Sequence, residues 1–139
     1  MASVQKSLRI PEDIARAIQE EAELSGREFS STANELLTEA VKIRRCPGIL
    51  FADGPSGRRA RIAGTGLDVW EVVATYKSLN GDFARLRRAY HWLTQPQLRA
   101  ALGYYRAYSD EIESQISRNA SWTKEQLAQK HPALTPDRP

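Results

Sequence analysis

Three polar residues, Gln5, Ser7 and Arg9, alternate along the beginning of the chain. Each can hydrogen-bond the edge of a DNA base, since arginine pairs with guanine O6 and N7, glutamine pairs with adenine N6 and N7, and serine donates or accepts. Residues two apart share one face of an extended strand. The spacing therefore predicts a base-reading surface, and the competing interpretation is the solvated face of an edge strand.

The element that would carry these residues is a half-buried strand from Val4 to Ile10. Leu8 falls on the same face as those two apolar ends, while the polar triplet falls on the other. Lys6 interrupts the apolar face. Pro11 has no N–H to continue a ladder, so we expect the strand to end there.

The sequence predicts two helices after this strand. The first spans about residues 12–25 and stops at Gly26, and the second follows the linker 26–29 and closes at 46–48. Such a unit, residues 1–47, is too small to sustain its own core, and its lone strand has no partner. The economical solution is a homodimer in which two strands pair as an antiparallel ribbon over four helices.

The stretches 5–12 and 26–30 resemble the ribbon-helix-helix repressors of the MetJ and Arc class. The resemblance implies that the ribbon enters the major groove of double-stranded DNA and that Gln5, Ser7 and Arg9 read the bases.

The same resemblance gives a phosphate contact to the backbone amides of Phe29 and Ser30, at the positive end of the second helix. Lys6 departs from the family pattern, which has an apolar residue there, and its amine can reach toward a phosphate. Glu28 stands where a serine or threonine often caps the helix. A cap at Ser30 instead would begin the helix two residues later.

Composition narrows the class of protein. The 139 residues carry a net charge of +3 and are 41% hydrophobic, which fits one or two small folded domains. The single Cys46 and the distant His91 and His131 give no metal-ligand spacing and no nucleophile-base pair. Apolar runs are short and Met1 begins no signal peptide. We expect a cytoplasmic protein, not an enzyme, with no cofactor, no metal and no membrane partner.

The sequence predicts a second domain over residues 48–119. Strands 49–53 and 58–62 flank a turn at 54–57, and helices should run from Leu67 to Leu79, from Phe83 to about Trp92, and onward from Thr94. Thr94 and Gln97 form a capping-box pair. The apolar stripe along the third helix is interpreted as core and comprises Leu98, Leu102, Tyr105, Ile112 and Ile116.

The predicted fold class is mainly α: a ribbon-helix-helix unit with one strand and two helices, obligately dimeric, followed by a β-hairpin plus three-helix domain. For residues 120–139 the sequence predicts a short helix and a disordered, proline-rich tail.

The stretches 61–70 and 93–102 are similar to a small VapB-type antitoxin domain with a helix-turn-helix-like bundle, over roughly residues 48–108. Gly66 stands where that pattern has arginine, so a contact through that side chain does not carry over. The resemblance implies a cognate protein toxin as partner. Gly64-Thr65-Gly66 is interpreted as a turn, because it lacks the other elements of a phosphate loop.

Other candidate contacts remain open in the sequence. Five arginines could contact DNA phosphates, an acidic toxin surface or only water, and these are Arg58, Arg59, Arg61, Arg85 and Arg88. Trp122 and Leu127 could anchor a partner or pack back on the bundle.

The two resemblances together imply a sequence-specific repressor, the antitoxin of a type II toxin-antitoxin pair that represses its own operon and neutralises a ribonuclease toxin. One alternative is a plain regulator whose second domain sets the oligomeric state or binds DNA. A more remote alternative is an enzyme that acts on nucleic acid.

Overall fold

The computed structural model describes residues 2–54 and 57–120. The chain divides into two compact units between Arg44 and Arg45. The described residues form six helices and one two-stranded sheet, which confirms the prediction of a mainly α protein.

The first unit contains two helices, α1 (Glu12–Ser25) and α2 (Phe29–Arg45). Gly26 ends α1 with a φ of 66°, a left-handed conformation that glycine adopts without steric cost, and its amide donates to the carbonyl of Glu23 at 3.2 Å. The sequence signals for both helices are therefore confirmed.

Residues 2–11 form neither a helix nor a strand in the single chain, so the strand predicted from Val4 to Ile10 is absent from it. The physical reason is that a β-ladder needs a second strand to accept and donate its hydrogen bonds. Within this unit, the described part of one chain offers no such strand. The prediction of a ribbon shared by two chains belongs to the proposal below.

The second unit begins with the predicted hairpin, β1 (Ile49–Gly54) and β2 (Gly57–Ile62). The strands are antiparallel, with Ile49 opposite Ile62 and Gly54 opposite Gly57. Four helices follow the hairpin: α3 (Val69–Ser78), α4 (Phe83–Ala89), α5 (Gln95–Ala107) and α6 (Ser109–Ala120).

Side-chain caps fix where α4 and α5 begin. Asp82 accepts from the amide of Arg85 at 3.1 Å. Thr94 accepts from the amide of Gln97 at 3.2 Å, while the Gln97 side chain accepts from the amide of Thr94 at 2.8 Å. The capping box predicted from the sequence is confirmed, and it sets the register of α5.

The prediction of three helices in this domain is wrong. The third predicted helix is divided at Tyr108, whose φ of −134° and ψ of 51° are not helical. The break lets α6 fold back so that it packs against α3 as well as α5. The second predicted helix is also shorter, because it ends at Ala89 rather than near Trp92.

The core of the second unit lies where the hairpin, α3, α5 and α6 meet. The interpretation of the α5–α6 stripe as core is confirmed, since Leu98 and Ile112 are fully buried and Tyr105 and Ile116 pack at the edge. The largest fully buried apolar side chains are those of Tyr104, Ile62, Leu86, Leu98, Ile112, Val69, Val72 and Val73.

Candidate nucleic-acid interface

The predicted base-reading residues lie in the segment that leads into α1. Gln5, Ser7 and Arg9 are all exposed, and so is Lys6 between them. Ile10, at the junction with the helix, is partly buried. The structure therefore leaves these polar side chains accessible to a ligand, but it does not align them on a strand face in the single chain.

The start of α2 holds the predicted phosphate contact. The helix begins at Phe29, because the amide and the hydroxyl of Thr32 both donate to the Glu28 carbonyl, at 3.1 and 3.0 Å. A start two residues later, capped by Ser30, is wrong. The amides of Phe29 and Ser30 are consequently in the first turn, where backbone donors have no partner within the helix and the dipole is positive.

Two features keep this helix end in place. Thr32 is buried, and Arg27 in the preceding loop forms an ion pair with Glu35 at 2.9 Å. The first turn of α2 carries no acidic residue. The nearest carboxylate in the sequence is that of Glu28, which immediately precedes this turn.

The first unit exposes most of its large apolar side chains. Among its described residues, only Ala22 and Thr32 are buried. Leu8 is 65% exposed and Leu37 is 56% exposed, values typical of surface residues rather than of a core. Among the described residues of this unit, the exposed large apolar side chains are those of Val4, Leu8, Ile14, Leu24, Leu36, Leu37, Val41 and Ile43.

These apolar side chains are not scattered at random along α2. Leu37 and Val41 are one helical turn apart, and Leu36 and Ile43 are two turns apart. Ala40, which is exposed and lies three or four residues from Leu36, Leu37 and Ile43, connects the two pairs into one apolar surface. Contiguous exposed apolar surface is typical of sites where another chain packs. This surface belongs to the same unit as the exposed apolar side chains of Val4 and Leu8.

Two of the candidate arginines of the second unit are used internally. Arg59 Nε lies 3.0 Å from Asp68 Oδ2, and Arg61 Nε lies 3.2 Å from Asp68 Oδ1. The indole N–H of Trp70 donates to the same carboxylate at 3.2 Å. The Asp68 side chain is only 5% exposed. This buried carboxylate therefore joins the hairpin to α3.

Asp68 was not identified in the sequence as a functional residue. Asp68 is also the N-cap residue of α3, and its amide donates to the Glu71 carboxylate at 2.9 Å. The sequence signal was an aspartate three residues before a glutamate, at the edge of an apolar run. The predicted helix start at Leu67 included Asp68 within the helix and concealed this signal.

The remaining candidate arginines are more accessible. Arg58 pairs with Asp53 across the hairpin at 3.2 Å, and Arg85 lies 3.6 Å from Asp82. Arg88 is exposed on α4. Trp122 and Leu127 lie outside the described residues.

Hydrogen-bonded tyrosines connect the helices of the second unit. Tyr105 and Lys77 both donate to Glu113 on α6, with Lys77 Nζ at 2.8 Å. These contacts lower the pKa of Glu113 and raise the pKa of Lys77. Burial, together with a hydrogen bond to Glu111, raises the pKa of the Tyr104 hydroxyl far above its ordinary value.

Gly64-Thr65-Gly66 lies in a turn, as predicted. Thr65 Oγ1 donates to the Ile62 carbonyl at 2.9 Å and accepts from the Leu67 amide at 3.1 Å, and Gly64 has a φ of 78°. Both hydrogen bonds of the threonine are thus made within the turn itself.

In the described ranges, no group of three His, Cys, Asp or Glu residues is placed to hold a metal ion. No helix in those ranges is both long enough and apolar enough to cross a lipid bilayer.

Comparison with protein-family models, curated proteins and solved structures finds no match for this chain. The candidate interface therefore rests on its residues and their geometry.

Proposed function

We propose that this chain is a homodimeric, sequence-specific DNA-binding repressor of the ribbon-helix-helix type. The observation that carries the proposal is the exposed apolar surface of the first unit, which a second copy of the same unit would cover. Self-association is favoured over another partner because the strand-forming segment lacks a pairing strand and an identical segment can supply one.

The ribbon proposed here would bury Leu8 and Val4 between the two strands and the four helices. Because side chains alternate along a strand, Gln5, Ser7 and Arg9 would then lie on the outer face of the ribbon. A two-stranded ribbon fits the width of the major groove. The exposure of these three side chains in the single chain is compatible with that role.

The start of α2 would set the position of the ribbon on the DNA. Backbone amides at a helix start bind phosphate without requiring a basic side chain. Phe29 and Ser30 supply such amides, and Lys6 adds a positive charge beside the base readers. Phosphate contacts of this kind fix register, while base contacts specify sequence.

The second unit has a core of its own and is therefore available for another role. The similarity of stretches 61–70 and 93–102 to a VapB-type antitoxin domain favours a protein toxin as its partner. The proposed protein is then the antitoxin of a type II pair that represses its own operon. Co-expression with the adjacent open reading frame tests this part: we expect a small ribonuclease that co-purifies and is inhibited.

The DNA-binding proposal is tested by measuring the affinity of the full chain for its own upstream DNA and for a scrambled duplex, across a salt series. Arg9→Ala should weaken specific binding by about 1 to 3 kcal/mol, since a bidentate arginine–guanine pair contributes that much discrimination. Binding to the scrambled duplex should change far less.

Arg16→Ala is the matched control, because Arg16 is an exposed arginine on α1 outside the proposed ribbon. It removes the same charge and should retain the preference for upstream DNA. Equal loss of preference in both variants would indicate a bulk charge effect and would contradict base reading by Arg9.

A further inference from the structure

A cleft opens on the surface of the second unit where α3, α4 and α5 meet. Its volume is about 350 Å³, within the range of sites for small organic ligands. Its lining combines apolar and aromatic side chains with two arginines, and consists of Tyr76, Phe83, Arg99, Leu102, Gly103 and Arg106.

Gly103, in the middle of α5, lines the cleft. A Cβ placed on Gly103 would meet no atom within 4 Å, so the space beside it, called the Gly103 hollow below, is open. On the opposite side, Asn80 and Gly81 have φ values of 57° and 71° and turn the chain sharply between α3 and α4. The Tyr76 hydroxyl lies against this turn.

Two arginines border the hollow. Arg99 and Arg106 are seven residues apart, two turns of α5, and so lie on one face of that helix. The guanidinium carbon of Arg99 is 5.4 Å from the centre of the Phe83 ring. The Gln95 amide, oriented with its oxygen toward Arg99, accepts from that guanidinium at 2.6 Å. Arg99 is thereby held at the edge of the cleft.

The charge around the cleft is unbalanced. No aspartate or glutamate occurs from residue 83 to residue 107, and the described lining contains no carboxylate. The acidic residue just before this stretch, Asp82, lies 3.6 Å from Arg85. The cleft therefore presents two positive charges beside a small apolar surface.

We propose that this cleft binds a carboxylate carried on an apolar body about the size of an aromatic ring. The guanidinium groups of Arg99 and Arg106 would bind the carboxylate, since arginine matches its planar geometry with paired hydrogen bonds. Phe83, Leu102 and the Gly103 hollow would receive the apolar body. The carboxylate can belong to a free organic acid or to an acidic side chain of a partner protein, and the chemistry recognised is the same.

The direct test is a titration of the ¹⁵N-labelled full chain with 2-naphthoate, followed by amide chemical shifts. We expect saturable shifts at Tyr76, Phe83 and Gly103, with a dissociation constant of about 1 mM or tighter. Acetate, which lacks the apolar body, and 2-naphthalenemethanol, which lacks the charge, should each bind at least about tenfold more weakly.

Variants assign the binding to the cleft. Gly103→Leu fills the hollow, and it should fold normally because leucine favours a helix more than glycine does and no neighbour obstructs its Cβ. It and Arg99→Gln should each weaken 2-naphthoate binding at least about tenfold. Arg87→Gln, a matched change of an exposed arginine on α4 that does not line the cleft, should leave binding unchanged.

Three results would overturn the proposal: no saturable shift at the cleft, equal binding of the uncharged alcohol, or wild-type affinity in Gly103→Leu. A parallel titration with a short peptide identifies the source of the carboxylate. If acetyl-Glu-Phe-amide binds about tenfold more tightly than 2-naphthoate, the natural ligand is a protein segment, and the reverse order indicates a free acid. The site does not depend on DNA binding, so the two proposals fail independently.

Discussion

The two units of this chain bury apolar side chains to very different extents. The second unit fully encloses Ile62, Val72 and Leu98 between its hairpin and helices, while the first leaves Leu8 and Leu37 more than half exposed. Both units contain amphipathic helices, so the difference does not arise from helix-forming sequence. A helix buries its apolar stripe only when another layer covers it, and the second unit has that layer within its own sequence.

The substitution Leu8→Ala is the most direct test of whether a second copy covers the apolar surface of the first unit. In the proposed dimer Leu8 is buried, so its truncation should destabilise the association by about 2 to 5 kcal/mol for each buried side chain. Sedimentation equilibrium of the full chain should show a larger dissociation constant, while the unfolding of the second unit should be unchanged.

Ser7→Ala is the neighbouring control for that prediction. Ser7 would lie on the outer face of the ribbon, so its truncation should leave the dissociation constant of the dimer as it is. A Leu8→Ala protein that associates as strongly as the wild type would remove the basis for covering the first unit with a second copy.

A somewhat smaller effect is expected within the second unit from Asp68→Asn. The change removes the carboxylate that Arg59 and Arg61 share. The Asp68 side chain is only 5% exposed. We expect a loss of about 3 kcal/mol in the free energy of unfolding, the lower part of the range for breaking a buried pair, since both arginines are partly exposed.

Chemical denaturation of the full chain measures this loss. The control is Asp53→Asn, because the Asp53 side chain is 90% exposed in its pair with Arg58. Its removal should cost less than about 1 kcal/mol. Equal stabilities for the two variants would mean that the Asp68 ion pairs do not hold the hairpin to α3.

The smallest change is expected for Tyr104→Phe, which keeps the buried ring and removes the hydrogen bond to Glu111. We expect a loss of about 1.5 kcal/mol at neutral pH. Because burial raises the pKa of Tyr104 in the folded state, its contribution is complete below the unfolded pKa of about 10 and declines as pH rises further.

The variant should therefore lose less stability than the wild type between pH 9 and pH 11, as followed by urea unfolding at several pH values. Tyr76→Phe is the control, since the Tyr76 side chain lines the open cleft. An alkaline decline of the same size in Tyr104→Phe would show that other groups govern it.

Local sequence signals predicted much of this fold. Gly26 ends α1 as expected, and Thr94 with Gln97 begins α5, because both features depend on residues within one helical turn. The hairpin was likewise predicted from its flanking strands and turn. Once the start of α2 is known, the sequence also places Phe29 and Ser30 in its first turn.

Features that depend on distant contacts were not predicted. The break at Tyr108 carries neither glycine nor proline, and its local signal is weak: Arg106 in the last turn of α5 and Asp110 and Glu111 in the first turn of α6. The packing of α6 on α3 is the distant contact that accompanies it. Asp68 receives its two arginine partners from a strand, at positions seven and nine residues earlier in the chain. The cleft beside Gly103 needs three helices to assemble before it exists.

The break at Tyr108 also governs how the second unit can fold. It leaves α5 with 13 residues and α6 with 12, and α3 and α4 are shorter still, with 10 and 7. Isolated helices of fewer than about 12 to 15 residues are marginal in water, because nucleation is costly. We therefore expect that none of the four is stable as an isolated fragment, and that these helices gain their stability by packing on one another and on the hairpin.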